Sequence, residues 1–326
     1  MDEELITLIG AVTIASTEEV WFGGRRVWAG DAGAPSGPGH PLQAALAHRL
    51  YLSGYCHRVQ VPCPPDPAPP GPDPDFAAAL AATAGNRPAL VPGWQVVGPG
   101  PGGTTILERD GRVVMAQPGA FLLPERAGLA PGPGMQATLY QPPASAHLQP
   151  GAVFVFGATP ADAVADARTV RFYWHIAAGG AVRLLEGLVA ALDRWGVPFR
   201  IKAWSTPAAY SRRDGAILYV PTRHYALVAE QVARAYGQVQ PALEPDVPLF
   251  TRRLAPGLAL ADDPGPGESF GQHRCRLVAE ALWQAPGLTE PAARLAAVRA
   301  RFVAAGLDPA APHLHPPNRE EYPWPP

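Results

Sequence analysis

The stretch that decides the fold is VRFYWHIAAGGAVRLLEGLVAALDRWGVPFRIKAW, residues 170–204. Apolar and polar residues alternate over 170–176 and again over 199–204, which is the period of a strand with one buried face. Between them, residues 181–195 have apolar side chains at helical spacing, and Gly196 follows as a stop signal. A strand, a helix and a strand within about 35 residues is the length of a right-handed crossover unit. We therefore expect two adjacent parallel strands with the helix on their apolar face.

The polar faces of these two strands carry the candidate chemistry. Tyr173 and His175 share the polar face of the first strand, and Lys202 lies on that of the second. If the strands are neighbours, His175 and Lys202 come together on one side of the sheet. Lys202 is the only lysine among 26 basic residues, and a lysine amine can act as a base where an arginine cannot. The alternative is that a composition rich in Ala, Pro, Arg and Gly, typical of a GC-rich genome, left one lysine by chance.

Composition limits the classes of function. The 326 residues carry a net charge of -2 and are 47% hydrophobic, enough for one large or two modest domains and without the positive charge that nucleic acid favours. No apolar run reaches the roughly 18 to 20 residues of a membrane span, and the acidic start lacks a secretory signal's positive region. We expect a cytoplasmic protein that binds no nucleic acid and no membrane. Cys56, Cys63 and Cys275 form no CxxC pair, which predicts neither a disulfide framework nor a zinc site.

Proline, glycine and periodicity divide the chain into five segments. We expect an N-terminal helical region (1–61), a proline-rich linker (62–75), a β-rich accessory region (76–150), a catalytic α+β domain (151–308) and a proline-rich tail (309–326). The fold class is therefore α+β. A mixed sheet with flanking helices forms the C-terminal catalytic domain, and a helical and short-stranded region precedes it.

Further cations stand where an anion would suit them. Arg212 and Arg213 come just before a predicted strand at 216–220, which also carries Tyr219. Two arginines at the start of a strand suit a bound anion, and the alternative is an ordinary solvated turn with an Arg–Asp pair. Arg253, in the pair 252–253, is a candidate on its charge alone.

A third group of cations lies at the start of a predicted helix. Ser269 is a good N-cap, so His273 and Arg274 fall in the first turn. The helix dipole disfavours cations there, and their placement makes more sense if an anion docks at the same end. The alternative is that neighbouring carboxylates neutralise them.

One amine, one histidine and several arginines match the needs of phosphate β-elimination from phosphoserine or phosphothreonine. The lysine would remove the Cα proton, the histidine would protonate the leaving oxygen, and the arginines would hold the phosphate. For Lys202 to work near neutral pH, its pKa must fall by roughly three units. This chemistry needs no metal and no organic cofactor. A Schiff-base lysine is the alternative role for Lys202.

Several strings in the chain resemble one family in order and spacing. They are RFYWHI (171–176), PFRIKAW (198–204), YSRRDGAILYV (210–220) and PLFTRRLAPGLALADDPGPGESFGQHRC (248–275). In these strings the chain resembles the A1-class Hop effector family of type III secretion. Relatives of that family stand alone in bacterial clusters for ribosomally made peptides, notably class V lanthipeptides and thioamitides.

The resemblance implies a lyase that acts with a kinase-like partner. The partner phosphorylates Ser or Thr of a precursor peptide, and the family member eliminates the phosphate to give dehydroalanine or dehydrobutyrine. Similarity to OspF-type phosphothreonine lyases implies roles for six residues of this chain: Lys202 as base, His175 as acid, Arg212 or Arg213 and Arg274 as phosphate clamps, and Tyr219 as an assisting group.

The chain departs from the phosphothreonine lyases at one position. Those enzymes have a second lysine two residues before the histidine, and this chain has Tyr173 there. Either Tyr173 or an arginine takes over that role, or the histidine assignment is wrong. Tyr173 and His273 are therefore expected to support the site.

Two interpretations follow for the function. The first is a carbon–oxygen lyase, a phosphoserine/phosphothreonine lyase whose partners are the phosphorylated precursor peptide and the kinase-like protein. The second is a non-catalytic, effector-like or scaffold protein that binds peptide and kinase.

Overall fold

The computed structural model describes residues 2–32, 40–64, 71–86, 89–109, 111–123, 130–162, 164–265, 267–318 and 322–325. Part of the predicted linker, residues 65–70, lies outside these ranges. Within them the predicted α+β class is confirmed, because helices and antiparallel sheets both occur throughout the chain. None of the helices in these ranges is long and apolar enough to cross a membrane.

The N-terminal part of the chain is a small unit of helices and strands. Its elements are α1 (Asp2–Gly10), β1 (Val12–Ser16), β2 (Glu19–Phe22), β3 (Arg25–Val27) and α2 (Pro41–Leu50). The three strands form an antiparallel sheet in chain order. Helix α2 begins with a proline, which suits the first turn because its missing N–H would have no partner there. The helix continues into a π-helical turn, Tyr51–Tyr55, which later forms a wall of the candidate site.

The accessory region is a second, separate sheet. It consists of α3 (Pro74–Ala82), β4 (Ala89–Pro99), β5 (Thr105–Arg109), β6 (Arg112–Ala116), β7 (Phe121–Leu122) and β8 (Gln136–Gln141). The strands pair in the order β6-β5-β4-β8-β7, all antiparallel. One face buries Trp94, Val96 and Leu107, which gives this sheet an apolar core of its own.

The C-terminal part contains the main sheet. Its elements are β9 (Ala144–Ser145), β10 (Ala152–Phe156), β11 (Thr169–Trp174), α4 (Ala178–Arg194), β12 (Arg200–Trp204), β13 (Ala216–Pro221), α5 (Tyr225–Val239), β14 (Arg252–Ala255), β15 (Leu258–Asp262), α6 (Phe270–Gln284) and α7 (Pro291–Ala304). The seven strands lie in the order β14-β15-β11-β13-β12-β10-β9. Every strand pairing among the described residues of this sheet is antiparallel.

The prediction that the strands around α4 are adjacent is wrong. β13 lies between β11 and β12 and pairs antiparallel with both. The two strands therefore run in the same direction, as expected, but two strand spacings apart. Helix α4 carries the chain past the position next to β11, so β12 lies one strand farther along the sheet. After β12 the chain turns back, and β13 forms between β11 and β12.

Alternation along the strands gives the main sheet two different faces. Val170, Phe172 and Trp174 of β11 face α4 and α5 and lie in the largest apolar core. Tyr173 and Ile217 face the other way, toward a second core that includes residues of α1, α2, α6 and α7. The sheet is the middle layer of three, and the candidate site lies on its second face.

Candidate active site

The site begins with a row of side chains that the strand register fixes. Tyr173 of β11 and Lys202 of β12 are both paired with Ile217 of β13, and Lys202 is paired on its other side with Phe154 of β10. Paired residues point to the same face of a sheet. Lys202 therefore lies on the second face, on the same cross-strand row as Tyr173.

A cleft of about 760 Å³ lies over this row, and we call it the basic cleft. Its floor is the second face of β11, β13 and β12. Its walls come from the π-helical turn and from residues 263–265 and 267–271, which precede and begin α6. The polar and aromatic lining residues that matter below are Tyr51, Tyr55, Arg171, Tyr173, Arg200, Lys202, Asp214, Tyr219, Asp263, Glu268 and Ser269. No histidine occurs among the described residues of the lining.

Lys202 is a buried cation on the floor of the basic cleft. The residue is 8% exposed, and its amine makes no hydrogen bond or ion pair with any residue in the described ranges. Its Nζ atom lies 4.3 Å from the centroid of the Trp204 ring, a cation–π contact. Burial lowers the pKa of Lys202 to about 8, with Arg212 acting in the same direction and Asp214 opposing it. A neutral amine is therefore accessible near neutral pH.

Arg212 lies behind Lys202 rather than in the cleft. Its guanidinium is stacked 4.4 Å from the centroid of the Trp204 ring, and it forms two hydrogen bonds with the carboxylate of Asp214, of 2.8 and 2.9 Å. It also donates to the hydroxyl of Tyr51. Through these contacts Arg212 positions the walls of the cleft. Because it does not line the cleft, we expect it to act on a ligand mainly through its charge.

Two arginines that the sequence analysis did not single out lie in the cleft on either side of Tyr219. The guanidinium carbon of Arg200 is 4.3 Å from the centroid of the Tyr219 ring, and that of Arg171 is 5.0 Å from it. Arg171 is held by Asp263, at 3.0 and 2.9 Å. Both could have been predicted from the sequence, because strand alternation places them on the polar faces that carry Tyr173 and Lys202.

Tyr173 and Tyr55 bring unused hydroxyl groups to the cleft. Both hydroxyls are buried, and neither meets full hydrogen-bond geometry with a described residue, although Tyr55 and Arg171 lie close to the hydroxyl of Tyr173. Burial raises the pKa of Tyr173 to about 12, so its hydroxyl stays protonated and is a donor at neutral pH. Tyr173, which the sequence analysis expected to support the site, is therefore placed to do so.

The start of α6 forms a wall of the cleft beside the π-helical turn and packs against it. Ser269 caps the helix, and Gln272 completes a reciprocal capping box with it. Gly271 is required here because a Cβ at that position would lie 2.5 Å from the ring of Tyr55. The positive end of the helix dipole thus borders the cleft, and it favours an anion there.

His175 does not reach the basic cleft. It lies just beyond β11, where its Nδ1 atom is 3.0 Å from the backbone oxygen of Asp246. Two strand spacings separate β11 from β12, about 10 Å, and His175 is two further residues along its strand from the row of Lys202. Burial lowers the pKa of His175, which favours its neutral form. The expected pair of His175 and Lys202 is not formed, because β13 intervenes.

Arg213 and Arg253 also lie away from the cleft. Arg213 is 2% exposed and donates to Glu4 at 2.6 Å, with Asp246 at 3.6 Å, so it fixes α1 against the main sheet. Arg253 is exposed on the edge strand β14 and does not line the cleft. The structure gives neither residue a contact with the cleft that holds Lys202.

Arg274 and His273 belong to a different buried cluster. Arg274 is fully buried and donates to the backbone oxygens of Pro312 and Leu314, both at 2.8 Å. Its third contact is the Nδ1 atom of His273, and burial together with this arginine lowers the pKa of His273 to about 3. Arg274 shares a face of α6 with Gly271 and lies close to Tyr173 and Tyr55, but its guanidinium is held by the backbone of residues 312–314. Neither Arg274 nor His273 lines the cleft.

Comparison with known proteins adds the family. Residues 143–314, more than half of the chain, match the HopA1 effector protein family. The chain belongs to this family. The matched range contains the whole floor of the basic cleft, including Lys202, and the start of α6.

The chain is similar to two solved effector structures. For the effector protein from Pseudomonas syringae pv. tomato strain DC3000, identity is 15%, the TM-score is 0.48, and 88% of this chain and 94% of that chain are covered. For the effector protein from Pseudomonas syringae pv. syringae strain 61, identity is 16%, the TM-score is 0.39, and 50% of this chain and 62% of that chain are covered. The chain matches no curated protein.

Proposed function

We propose that this protein is a carbon–oxygen lyase that eliminates phosphate from a phosphorylated serine or threonine of a peptide. The observation that supports this most is the state of Lys202, a buried amine with a pKa of about 8 and no hydrogen-bonding partner among the described residues. At pH 7.5 such an amine is neutral in about a quarter of the molecules, which is enough for a general base.

In the proposed reaction, the neutral amine of Lys202 removes the proton from Cα of the phosphorylated residue. The electron pair of that C–H bond forms the Cα–Cβ double bond, the Cβ–O bond breaks, and its electrons leave with the phosphate. Phosphoserine gives dehydroalanine and phosphothreonine gives dehydrobutyrine. No metal or organic cofactor takes part.

The phosphate would be held by the cations around Tyr219. Arg171 and Arg200 flank this ring, and the start of α6 adds its dipole. Asp263 engages two of the five N–H donors of Arg171, and the proposed phosphate contacts use donors that Asp263 does not occupy. A phosphate that leaves as an anion between two arginines needs less help from an acid, so the reaction does not depend on His175. The hydroxyls of Tyr173 and Tyr219 supply neutral donors.

The family resemblance extends the proposal to the partners. A kinase-like protein of the same pathway would phosphorylate a ribosomal precursor peptide, as in class V lanthipeptide and thioamitide clusters, and this protein would act next. The cleft fits that order, because its cations suit a substrate that already carries phosphate.

A second candidate is an effector-like or scaffold protein that binds a phosphorylated peptide without reacting. The placement of His175 favours it, because the described lining of the cleft contains no histidine that could act as an acid beside Lys202. Both candidate functions use the basic cleft to bind the phosphorylated peptide, and they differ in whether the bound peptide is converted.

The test is to incubate the protein with a synthetic phosphoserine peptide and follow the peptide by mass spectrometry. We expect loss of the mass of phosphoric acid and a product that adds a thiol at the new double bond. Lys202→Met should bind the peptide and leave it intact. If the peptide binds to the unchanged protein and is never converted, the second candidate is correct.

A further inference from the structure

A second cleft, of about 460 Å³, lies beside the basic cleft, and we call it the apolar cleft. It lies between β4 of the accessory sheet and the ends of β10, β12 and β13 in the main sheet. Its walls include Val91, Trp94, Phe156, Phe199 and Val220. These side chains are apolar, in contrast to those of the basic cleft.

The two clefts are parts of one groove. Thr169, Arg200 and Tyr219 line both of them. Tyr219 and Arg200 are also the groups that the proposed function assigns to the phosphate. A chain that places its phosphorylated residue beside Lys202 is thus led past Arg200 into the apolar cleft.

The spacing of the groove fits an extended peptide. From Lys202 back along the chain, Arg200 lines both clefts and Pro198 lines only the apolar one. Four residues of extended backbone span about 13 Å at 3.3 Å per residue. A substrate in the same conformation has the residue three or four positions from the phosphorylated one inside the apolar cleft.

The polar groups of the apolar cleft do not offer a second anion site. The guanidinium of Arg109 donates to the backbone oxygens of Pro92 and Ala161. Asp166 is paired with Arg223, and Asp162 adds a carboxylate that accepts only backbone N–H groups in the described ranges. Apolar walls favour an uncharged, apolar side chain, because burying a charged group against them costs free energy.

We propose that the apolar cleft binds an apolar side chain of the substrate peptide, three or four residues from the phosphorylated residue, and thereby selects the site of elimination. This inference rests on the proposed function for the position of the phosphorylated residue. It assigns a sequence preference to the substrate, which the basic cleft by itself does not provide.

The experiment uses a set of phosphoserine peptides of one length, in which a single leucine is moved through the positions on both sides of the phosphoserine. We expect kcat/KM to be highest with leucine three or four positions away on one side. Replacing that leucine by aspartate should lower kcat/KM about tenfold or more, because one well-placed apolar group gives discrimination of this order.

Two variants test the location of the preference. Ala161 is exposed and lines the apolar cleft, so Ala161→Trp fills it from the rim. Ala165 is an exposed alanine of the same loop outside the lining, and Ala165→Trp is the matched control. The ratio of kcat/KM for the leucine and aspartate peptides should fall to about one in Ala161→Trp and stay unchanged in Ala165→Trp. Thr159→Tyr is a second filling variant, for use if a melting curve shows that Ala161→Trp is not folded.

Failure of this inference and failure of the proposed function give different results. If no peptide loses phosphate, the proposed function fails, and fluorescence anisotropy with the same labelled peptides still measures the preference for leucine. If phosphate is eliminated equally from all peptides, or if both filling variants keep the preference for leucine, the apolar cleft has no part in selecting the substrate.

Discussion

Two clusters of buried polar side chains contact α6, and they differ in how their polar groups are satisfied. One is the basic cleft. The other, which we call the tail fastening, consists of Arg274 and Asp262 with groups of residues 312–318 and Tyr322. In the tail fastening Arg274 donates to two backbone oxygens, whereas in the basic cleft Lys202 has no such partner in the described part of the chain.

Asp262 is the acidic residue of the tail fastening, and its charge is compensated by hydrogen bonds in the same way as that of Arg274. Its carboxylate accepts hydrogen bonds from the side chains of Asn318 and Tyr322 and from the backbone N–H of His315. A buried cluster in which donors and acceptors match stabilises the fold. A buried cation that faces open volume is instead available to a ligand. Burial of a charge therefore does not by itself indicate a binding site.

The largest expected effect breaks the tail fastening. Arg274→Met leaves the backbone oxygens of Pro312 and Leu314 without their donor, which should lower the free energy of unfolding by about 3 kcal/mol. Urea unfolding measures this change, and elimination per folded molecule should be retained. Arg253→Met is the control, because this arginine is exposed and should change stability by less than about 0.5 kcal/mol. Loss of elimination in folded Arg274→Met would move this residue back into the site.

The second prediction concerns a substitution that removes a cation from the basic cleft. Arg200→Met should lower kcat/KM by about a hundredfold, because a charge-assisted contact to phosphate is lost, and it should leave the melting temperature nearly unchanged. Steady-state kinetics with a phosphoserine peptide and a thermal melt measure the two quantities. Arg253→Met again serves as the control and should keep full activity. Equal losses of activity in the two variants would contradict the role of the cleft.

The pH dependence of kcat/KM tests whether Lys202 is the base. Only the neutral amine is a base, and its pKa is about 8, so kcat/KM should rise nearly tenfold per pH unit from pH 6.5 and level off above about pH 8. A phosphate monoester has already lost its second proton over most of this range. A profile that is flat or falls between pH 6.5 and 8 would show that Lys202 is not the base.

The stability of the protein should depend on Lys202 in the same direction. The pKa is lower in the folded protein than in the unfolded chain, so the unfolded chain binds more protons between about pH 8 and 10.4. The free energy of unfolding from this group therefore rises with pH across that window. Comparison with Lys202→Met by urea unfolding at pH 7.5 and 10 isolates the contribution.

A smaller effect comes from the hydroxyl of Tyr173. Tyr173→Phe removes a buried hydroxyl that meets hydrogen-bond geometry with no residue in the described part of the chain, so stability should stay equal or rise slightly, while kcat falls several-fold. Tyr210→Phe removes a similarly unpaired hydroxyl outside the cleft and should leave kcat unchanged. If both variants reduce kcat alike, the loss comes from packing and not from a donor in the cleft.

The smallest expected effect is at His175. Asparagine can still donate to the backbone oxygen of Asp246, so His175→Asn should keep activity within about threefold and remain folded. The same peptide assay measures it. A loss of a hundredfold or more in a folded variant would restore His175 as the acid and would require the cleft to rearrange.

Part of the candidate site was predictable from the sequence, because it depends on local geometry. Strand alternation placed Tyr173 and Lys202 on polar faces, the family resemblance added Tyr219, and all three line the basic cleft. The same rule would have found Arg171 and Arg200. The arginine assignments from paired or helix-start positions were weaker, because charge and spacing do not show which partner a guanidinium finds.

The α+β class and the polar faces of the strands were determined by the sequence alone, since the period of two is imposed on each strand by its own backbone. The order of the strands was decided only by the tertiary structure, because pairing between distant segments leaves no periodic signal. The insertion of β13 put Tyr173 rather than His175 in the row of Lys202, and long-range hydrogen bonds assigned Arg213 and Arg274 to the fold.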